Sequence, residues 1–294
     1  MSVSRQSLNL DDLRLETQDG GLVREGAYLV AHTDTSPRHS HSLGHLVHAA
    51  SGVLSLLTDD GTWIAPSNRF AWVPAGVEHS HRAHGRTDMR VVYLEGQLAR
   101  ALPSTPAVLI ASSLAREAVL ALTSGEPRSA PALDRLRRVV VDEATTAPEQ
   151  PLHLPEPRDL RLRKVAREVE RDLASPQSLT QIAQRIGVGA RSLSRLFREE
   201  TGMGYRQWRL QLRVHRALVL LAEGTTVTDT AAACGWSTTS QFIAQFSPLV
   251  GMTPGQYRAR PGPVRNLVHA IPAMHDVQTD LPRTRPIRRA TENC

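Results

Sequence analysis

Residues 179–202, LTQIAQRIGVGARSLSRLFREETG, and residues 227–254, VTDTAAACGWSTTSQFIAQFSPLVGMTP, carry one pattern twice. Each begins with small or branched residues (Ile182, Ala183 and Ile186; Thr230, Ala231 and Ala233), passes a glycine (Gly187; Gly235) and continues into a second apolar run (Leu193, Leu196 and Phe197; Phe242, Ile243 and Phe246). A helix that must stop and turn sharply calls for a positive φ, which only glycine adopts cheaply. Ala183 and Ala231 are small where two helices must approach closely. The spacing predicts two helix-turn-helix units, with Thr180 and Thr228 as candidate caps of the leading helices and Ser192 and Ser240 near the starts of the following ones.

Between the units, Trp208, Leu212, Ala217, Leu218 and Leu221 fall on one stripe, with Arg206, Arg209, Arg213 and Arg216 largely off it, which predicts a single long connecting helix. Two units joined this way can place their second helices in successive major grooves on one face of DNA. An ordinary helical bundle would share the Leu and Phe stripe, but not the duplicated spacing or the charge partition. Residues 160–260 hold 15 Lys and Arg against 7 Asp and Glu, residues 1–159 hold 15 against 19, and the whole chain carries +6. The basicity is almost entirely Arg, whose fork grips phosphate or guanine bidentately.

Residues 160–258 resemble the DNA-binding domain of the AraC/XylS family of bacterial regulators. The specific part is AAACGWSTTSQFIAQFSPLVGMTPGQYR, which supplies the family's Ala232, Gly235, Trp236, Ser237, Phe242, Phe246, Gly251, Thr253, Pro254, Tyr257 and Arg258. The resemblance implies seven helices, with recognition helices at about residues 190–200 and 238–249. It also implies that Arg191, Ser194 and Arg195 of the first, and Thr239, Ser240 and Gln241 of the second, face the groove; Ser192, Ser237 and Gln245 complete the candidate DNA-binding set. The chain departs from the pattern after the second Phe, where Ser247, Pro248 and Leu249 replace the usual basic residues. No Arg or Lys stands between Trp236 and Gly251, so base reading there falls to hydroxyls, Gln241, Gln245 or apolar contact with thymine methyls, and the first helix is expected to carry most discrimination.

The amino-terminal half changes character. Short apolar runs (GVLSLLT, TWIAP, FAWVPAG, MRVVYLEG) alternate with turn signals such as Asp59-Asp60-Gly61, predicting an antiparallel barrel or sandwich. Eight of the twelve His lie between His32 and His84. HSHSLGHLVHAASG supplies His39, His41, His45 and Gly52, and PAGVEH supplies Pro74, Gly76 and His79; together they resemble the two motifs of the cupin fold, with His45 where metal-binding members usually have Glu. Alternate strand residues share a face, so His39 and His41 are expected to turn inward together, joined by His45 and His79 from neighbouring strands. Such a set suits Zn, Ni, Cu or Fe. His81 stands outside the set, and His48, three residues beyond His45, is expected on the opposite face at the surface. The bland alternative is a polar barrel mouth in which neutral imidazoles only exchange hydrogen bonds.

Residues 112–146 show helical stripes broken by GEPRSAP, and in similar regulators such helices pair two subunits. Residues 145–159 contain four Pro and are expected to be extended and exposed. The tail past Pro261, with Arg283, Arg285, Arg288 and Arg289, is expected to be mostly disordered and to add nonspecific attraction for DNA. The sequence shows no export signal and no apolar run near the ~20 residues a bilayer demands, so a cytoplasmic location and no membrane partner are expected.

These readings predict an α+β chain: a cupin-like sensor over 1–110, a helical linker and dimerisation region over 111–158, a double helix-turn-helix domain over 159–260 and a tail over 261–294. The function they imply is a sequence-specific regulator of promoter DNA, a homodimer that contacts RNA polymerase and answers to a small molecule or metal. The alternative is a metal-dependent cupin enzyme with an accessory DNA-binding domain, but its only candidate acid or base residues, Glu78 and Tyr28, lack any specific spacing, so no enzyme is expected. Alkyl transfer onto cysteine is unsupported by the only two candidates, Cys234 and Cys294.

Overall fold

The structure, a computed structural model, describes residues 25–30 by their backbone, and residues 35–146 and 152–259 in full. The expectations for the tail and Cys294 fall outside these residues. Seven strands form one antiparallel sheet: β1 (Glu25–Val30), β2 (Gly44–Thr58), β3 (Gly61–Pro66), β4 (Arg69–Val73), β5 (Ser80–Leu94), β6 (Ala107–Ile110) and β7 (His153–Pro155). Their order is β1-β5-β2-β3-β7, and β4 bridges β2 to β6. Because β2 runs for 15 residues, its first half pairs with β5 and β4 and its second half with β5 and β3, which curls the sheet into a nearly closed barrel. Register shifts on either side of Ser51 supply the bend, and Gly52 sits in the left-handed region at φ +78°. A Cβ there would lie 2.3 Å from the Thr87 hydroxyl, so the bend requires glycine. Asp59 and Asp60 form the expected β2–β3 turn.

Strand alternation sorts the two faces. Val47, Ala49, Leu54, Ala65, Ala83, Met89 and Val91 fill one buried cluster, and many of them are small, as a narrow barrel interior demands. Leu46, Phe70, Trp72, Val92 and Leu94 point the other way, beneath helices α2 (Ser113–Leu122) and α3 (Ala130–Thr146), which follow the short α1 (Gly96–Arg100). The outer face is therefore also covered. Asp88 and Arg90 lie buried on it as a bidentate pair, with Nε–Oδ1 2.6 Å and Nη2–Oδ2 2.8 Å, and the guanidinium also donates to Thr123 at the end of α2.

The carboxyl-terminal part contributes seven described helices, the number the resemblance implies: α4 (Leu160–Arg171), α5 (Leu179–Arg185), α6 (Ala190–Thr201), α7 (Tyr205–Ala222), α8 (Val227–Ala233), α9 (Thr239–Val250) and α10 (Pro254–Arg258). The expected helix positions hold, but three caps lie two residues earlier than expected and the fourth three residues earlier. Ser178, not Thr180, caps α5 in a reciprocal box with Gln181, and Thr226, not Thr228, caps α8. Thr238 rather than Ser240 caps α9, and Gly189 precedes α6 with no side-chain cap. The physical reason is the need of an extended residue three positions before an exposed backbone N–H, which fixes the cap by helix geometry rather than by which hydroxyl is nearest.

α5 and α6 enclose their own core with α4 and the start of α7, centred on Leu162, Ile182, Leu193, Phe197 and Trp208. The second unit does otherwise. Phe242, Phe246, Val250, Trp236 and Leu218 share one buried cluster with barrel residues Val53, Leu56, Ile64 and Val73. Polar contacts close this seam: Asn68 Nδ2 and Arg69 Nη2 both donate to the Val250 carbonyl, at 2.9 and 2.8 Å, at the end of α9.

The linker corrects the expectation of exposure. Thr145 and Thr146 end α3, and from Leu152 onward the chain is not exposed throughout: Leu152 is only 1% exposed, and β7 adds to the free edge of β3, with His153 stacked on Trp63 at 4.0 Å between ring centroids. An unpaired sheet edge gains by being covered, and the linker is the nearest chain able to cover it.

Candidate DNA interface and histidine cluster

The second helices of both units turn their polar sides outward. Arg191, Ser192 and Arg195 are exposed on α6, and Ser194 is half-buried beside them. Ser237, Ser240 and Gln241 are exposed at the start of α9, whereas Thr239 and Gln245 are half-buried. The buried backs of the two helices, Leu193 and Phe197, and Phe242 and Phe246, are wholly inaccessible. Arg195 is held only loosely, 3.5 Å from the exposed Glu199. Gln245 differs from the other candidates because its Oε1 accepts from Trp236 Nε1 at 2.9 Å.

Sequence reasoning missed Arg198, exposed one turn beyond Arg195 and Ser194, and the exposed series Arg161, Lys164, Arg167 and Arg171 on α4. The i, i+3, i+6, i+10 spacing was readable and marks cations that share a solvated helix face. Two of the connecting-helix arginines serve the fold instead. Arg209 donates to the Leu173 and Ser175 carbonyls of the chain between α4 and α5. Arg213 donates to the Cys234 carbonyl at 2.5 Å and lies 4.2 Å over the Trp236 ring of the second, with burial lowering its pKa to about 10. Gly235, at φ +78°, brings the second turn against the end of α4; a Cβ would meet Ala174 Cα and the Leu173 carbonyl, both at 2.8 Å. These contacts fix the spacing of the two units. Cys234 is buried in the same region, and burial first of all pushes its thiol up to about 12, so it is no nucleophile at neutral pH.

The barrel gathers its histidines. His39 is joined to His79 by an isolated antiparallel bridge on irregular chain, where a strand was expected, and His45 opens β2 opposite Tyr93. Ring centroids lie 4.8 Å apart for His39 and His41, 4.4 Å for His39 and His79, 4.9 Å for His41 and His45, and 5.0 Å for His45 and His79. All four expected residues thus come together. His81 joins them, 4.9 Å from His79, and the nitrogens of His39, His41 and His79, and of His45, His79 and His81, form two groups whose members lie within 4.8 Å of one another. His81 was legible in His79-x-His81, by the same alternation that linked His39 to His41.

Hydrogen bonding sets the tautomers. His39 Nδ1 and His79 Nδ1 each lie 2.8 Å from a backbone carbonyl, of Pro37 and Val77; since a carbonyl only accepts, each Nδ1 carries a proton, which leaves Nε2 as the nitrogen free to act as a ligand. Those two Nε2 atoms, and both nitrogens of His45, are buried without a protein hydrogen-bond partner. Burial lowers the pKa of His41 and of His79 to about 4, and with neighbouring imidazoles holds His45 and His81 well below the usual value. Neutral imidazoles with converging, unpaired nitrogens are the donor set of borderline transition metals, and neither described group contains a carboxylate of the kind Ca and Mg prefer.

His48 does face away from the cluster, as expected, but not to the surface. It is 2% exposed against Phe70, with Nδ1 3.2 Å from the Arg69 carbonyl, because other elements cover the outer face of β2. Glu78, one of the two candidate acid or base residues for an enzyme, is tied to Arg38 at 3.3 Å on the surface. Tyr28 lies on β1, opposite Met89 in register.

The family description "AraC-like ligand binding domain" matches residues 23–203, and "Helix-turn-helix domain" matches residues 182–260. The HTH-type transcriptional regulator NimR of Escherichia coli K12 is 34% identical over 228 residues, 77% of this chain and 83% of NimR. The HTH-type transcriptional activator RhaR of Pectobacterium atrosepticum is 25% identical over 84% of this chain and 96% of its own length. A crystal structure of a DNA-binding transcriptional dual regulator from Escherichia coli K-12 is 31% identical, covering 35% of this chain and 98% of that one with a TM-score of 0.32.

Proposed function

This chain belongs to the AraC family of ligand-responsive transcription regulators, and from that premise we propose that its effector is a divalent transition metal held by the histidine cluster of the barrel. The supporting observation is the set of orphaned imidazole nitrogens: a buried polar atom without a partner costs about 1–3 kcal/mol, and His45 alone has two. His39, His41, His45 and His79 would hold Zn, Ni, Cu or Fe, with His81 as the alternative ligand beside His45 and His79. When bound, the metal supplies bonds that tie the chain before β2, β2 itself and the entry to β5 into one unit. His39 and His79 keep their Nε2 lone pairs aimed into the cluster, and Tyr93, 5.3 Å from both His41 and His45, closes it on one side.

A regulatory metal must favour one arrangement of the chain over another, since equal affinity shifts nothing. The seam between barrel and second unit offers that arrangement: His45 pairs in register with Val73 of β4, which belongs to the core shared with α9. A small-molecule effector is the second reading, favoured by a cleft of about 260 Å³ between Leu43 and Tyr93 of the barrel and Arg137 and Arg138 of α3. In either case the chain acts as a binding device, not an enzyme. It works in the cytoplasm on promoter DNA as a homodimer joined through α2 and α3, and it contacts RNA polymerase there. Among the described residues, no helix is long and apolar enough to cross a membrane.

The test is metal analysis of untagged protein after loading with each metal and removal of the excess, alongside His41→Ala and His79→Ala, with operator affinity measured in parallel. About one metal per chain, lost in both variants together with metal-dependent operator affinity, is the expected result. Loading that neither substitution changes would remove the site.

A further inference from the structure

The two recognition helices have matching buried backs but different outer faces. Leu193 and Phe197 on α6, and Phe242 and Phe246 on α9, are fully buried four residues apart. Aligned on them, Arg191 corresponds to Ser240, Ser192 to Gln241, Ser194 to Ile243 and Arg195 to Ala244. On α9 the residues Ser240, Gln241, Ile243 and Ala244 are all exposed, and Ile243, 37% exposed, is one of three large apolar side chains left open to solvent among the described residues. The helix carries no charge from Thr239 to Val250.

The polar groups of α9 are also directed. Gln245 is held back by Trp236, as described above. The Ser237 hydroxyl donates to Gln241 Oε1 at 3.0 Å, so the acceptor end of Gln241 is engaged and its Nε2 donors are turned to solvent. An outward amide donor with the exposed methyl of Ala244 one turn further along the same helix face complements one base edge in the major groove. Thymine presents an O4 acceptor next to a C5 methyl, whereas guanine offers acceptors without a methyl and the cytosine amino group would oppose a donor.

We propose that the two units read chemically different half-sites. α6 reads guanine through Arg191 and Arg195, and α9 reads thymine, with Gln241 donating to O4 while Ala244, one turn on along the same face, packs on the methyl. The inference rests on the DNA-binding reading and adds base identity to it. Ala244 is then the determinant of the second half-site, at the position where the first unit has Arg195.

The test uses the full chain, with chelator and separately with added zinc, to enrich binding sites from a random-sequence duplex library. Uracil then replaces thymine in one half of the enriched site at a time, which removes only the major-groove methyl. The expected outcome is a guanine-bearing half and a thymine-bearing half. Uracil in the second should weaken binding roughly four-fold per contacted methyl, the effect of one buried methylene. In the first half it should change affinity less than about two-fold, and Ala244→Gly should reduce the thymine preference in the second. A specific site that binds equally with uracil in either half, or a second half-site specified by guanine, overturns the proposal while leaving DNA binding intact. Failure to enrich any sequence over random DNA would defeat the regulator reading as well.

Discussion

Gly187 and Gly235 stand at the same position of the two repeated units, at φ +71° and +78°, yet a methyl group would meet different surroundings at each. At Gly187 nothing lies within 4 Å of an added Cβ, so Gly187→Ala pays only for a left-handed alanine, about 1–2 kcal/mol, less the ~0.4–1 kcal/mol gained by restricting the unfolded chain. At Gly235 the same cost is joined by Ala174 Cα and the Leu173 carbonyl at 2.8 Å and the Ala174 carbonyl at 2.9 Å. All three are backbone atoms, which no rotamer change can move aside, and overpacking of this kind costs about 1–3 kcal/mol. Gly235→Ala should therefore be less stable than Gly187→Ala by about 1–3 kcal/mol in urea denaturation followed by far-UV circular dichroism. Relief of the clash pushes the second unit away from α4, so affinity for a two-half-site operator should fall more in Gly235→Ala than in Gly187→Ala under conditions where both are folded. If the two variants agree within about 0.5 kcal/mol and bind DNA alike, the turn does not set the spacing of the units.

Arg195→Ala should leave stability within about 0.5 kcal/mol, since the side chain is 76% exposed, but should weaken operator binding by about 1–3 kcal/mol; unchanged affinity and specificity remove it from the interface. Arg69→Met takes a charge-assisted bond from the end of α9 and should cost about 1.5–3 kcal/mol in the same denaturation assay; a loss below about 0.5 kcal/mol would show that the Asn68 bond to Val250 holds the seam alone. His215, buried on α7, is held neutral with its pKa lowered to about 3, mainly by burial. Below its unfolded value of 6.5 the unfolded chain binds the extra proton, so the contribution of this group is full above pH 6.5 and declines as pH falls toward 3. Between pH 7 and pH 5 the loss is ~2 kcal/mol, and a His215→Gln variant that loses as much stability over that interval as the parent chain would contradict the assignment.

The duplicated units were legible because helix period, turn glycine and small contact residues act within about twenty positions and leave a repeated imprint. The caps were not read correctly, although Ser178-x-x-Gln181 and Thr226-x-x-Asp229 spelled them out, because neighbouring hydroxyls compete for the same role in a sequence. Strand alternation pointed to His39, His41, His45 and His79 as one group, and they do come together, although His39 and His41 lie on irregular chain ahead of β2 and not on a strand. It did not reveal that His48 is buried, since which elements cover the outer face of β2 is decided by segments far away in the chain. The linker misled for a related reason: its prolines disfavour regular structure, but three residues pairing with an open edge need very little of it. The core joining Val53, Leu56 and Ile64 to Phe242 and Val250 has no local signature at all, because each half of it reads as an ordinary interior.

That joint interior bears on how such a chain can be recombined. Motif boundaries suggest a sensor and a reader that could be exchanged between relatives by cutting near residue 150. A chimaera made there would bring Phe246 and Val250 against an unfamiliar barrel wall and would leave the carbonyl at the end of α9 without Asn68 and Arg69. Grafted sensors for this reader should therefore carry over the β3–β4 segment along with Val53 and Leu56 of β2, so that the transplanted wall matches the helix it must receive.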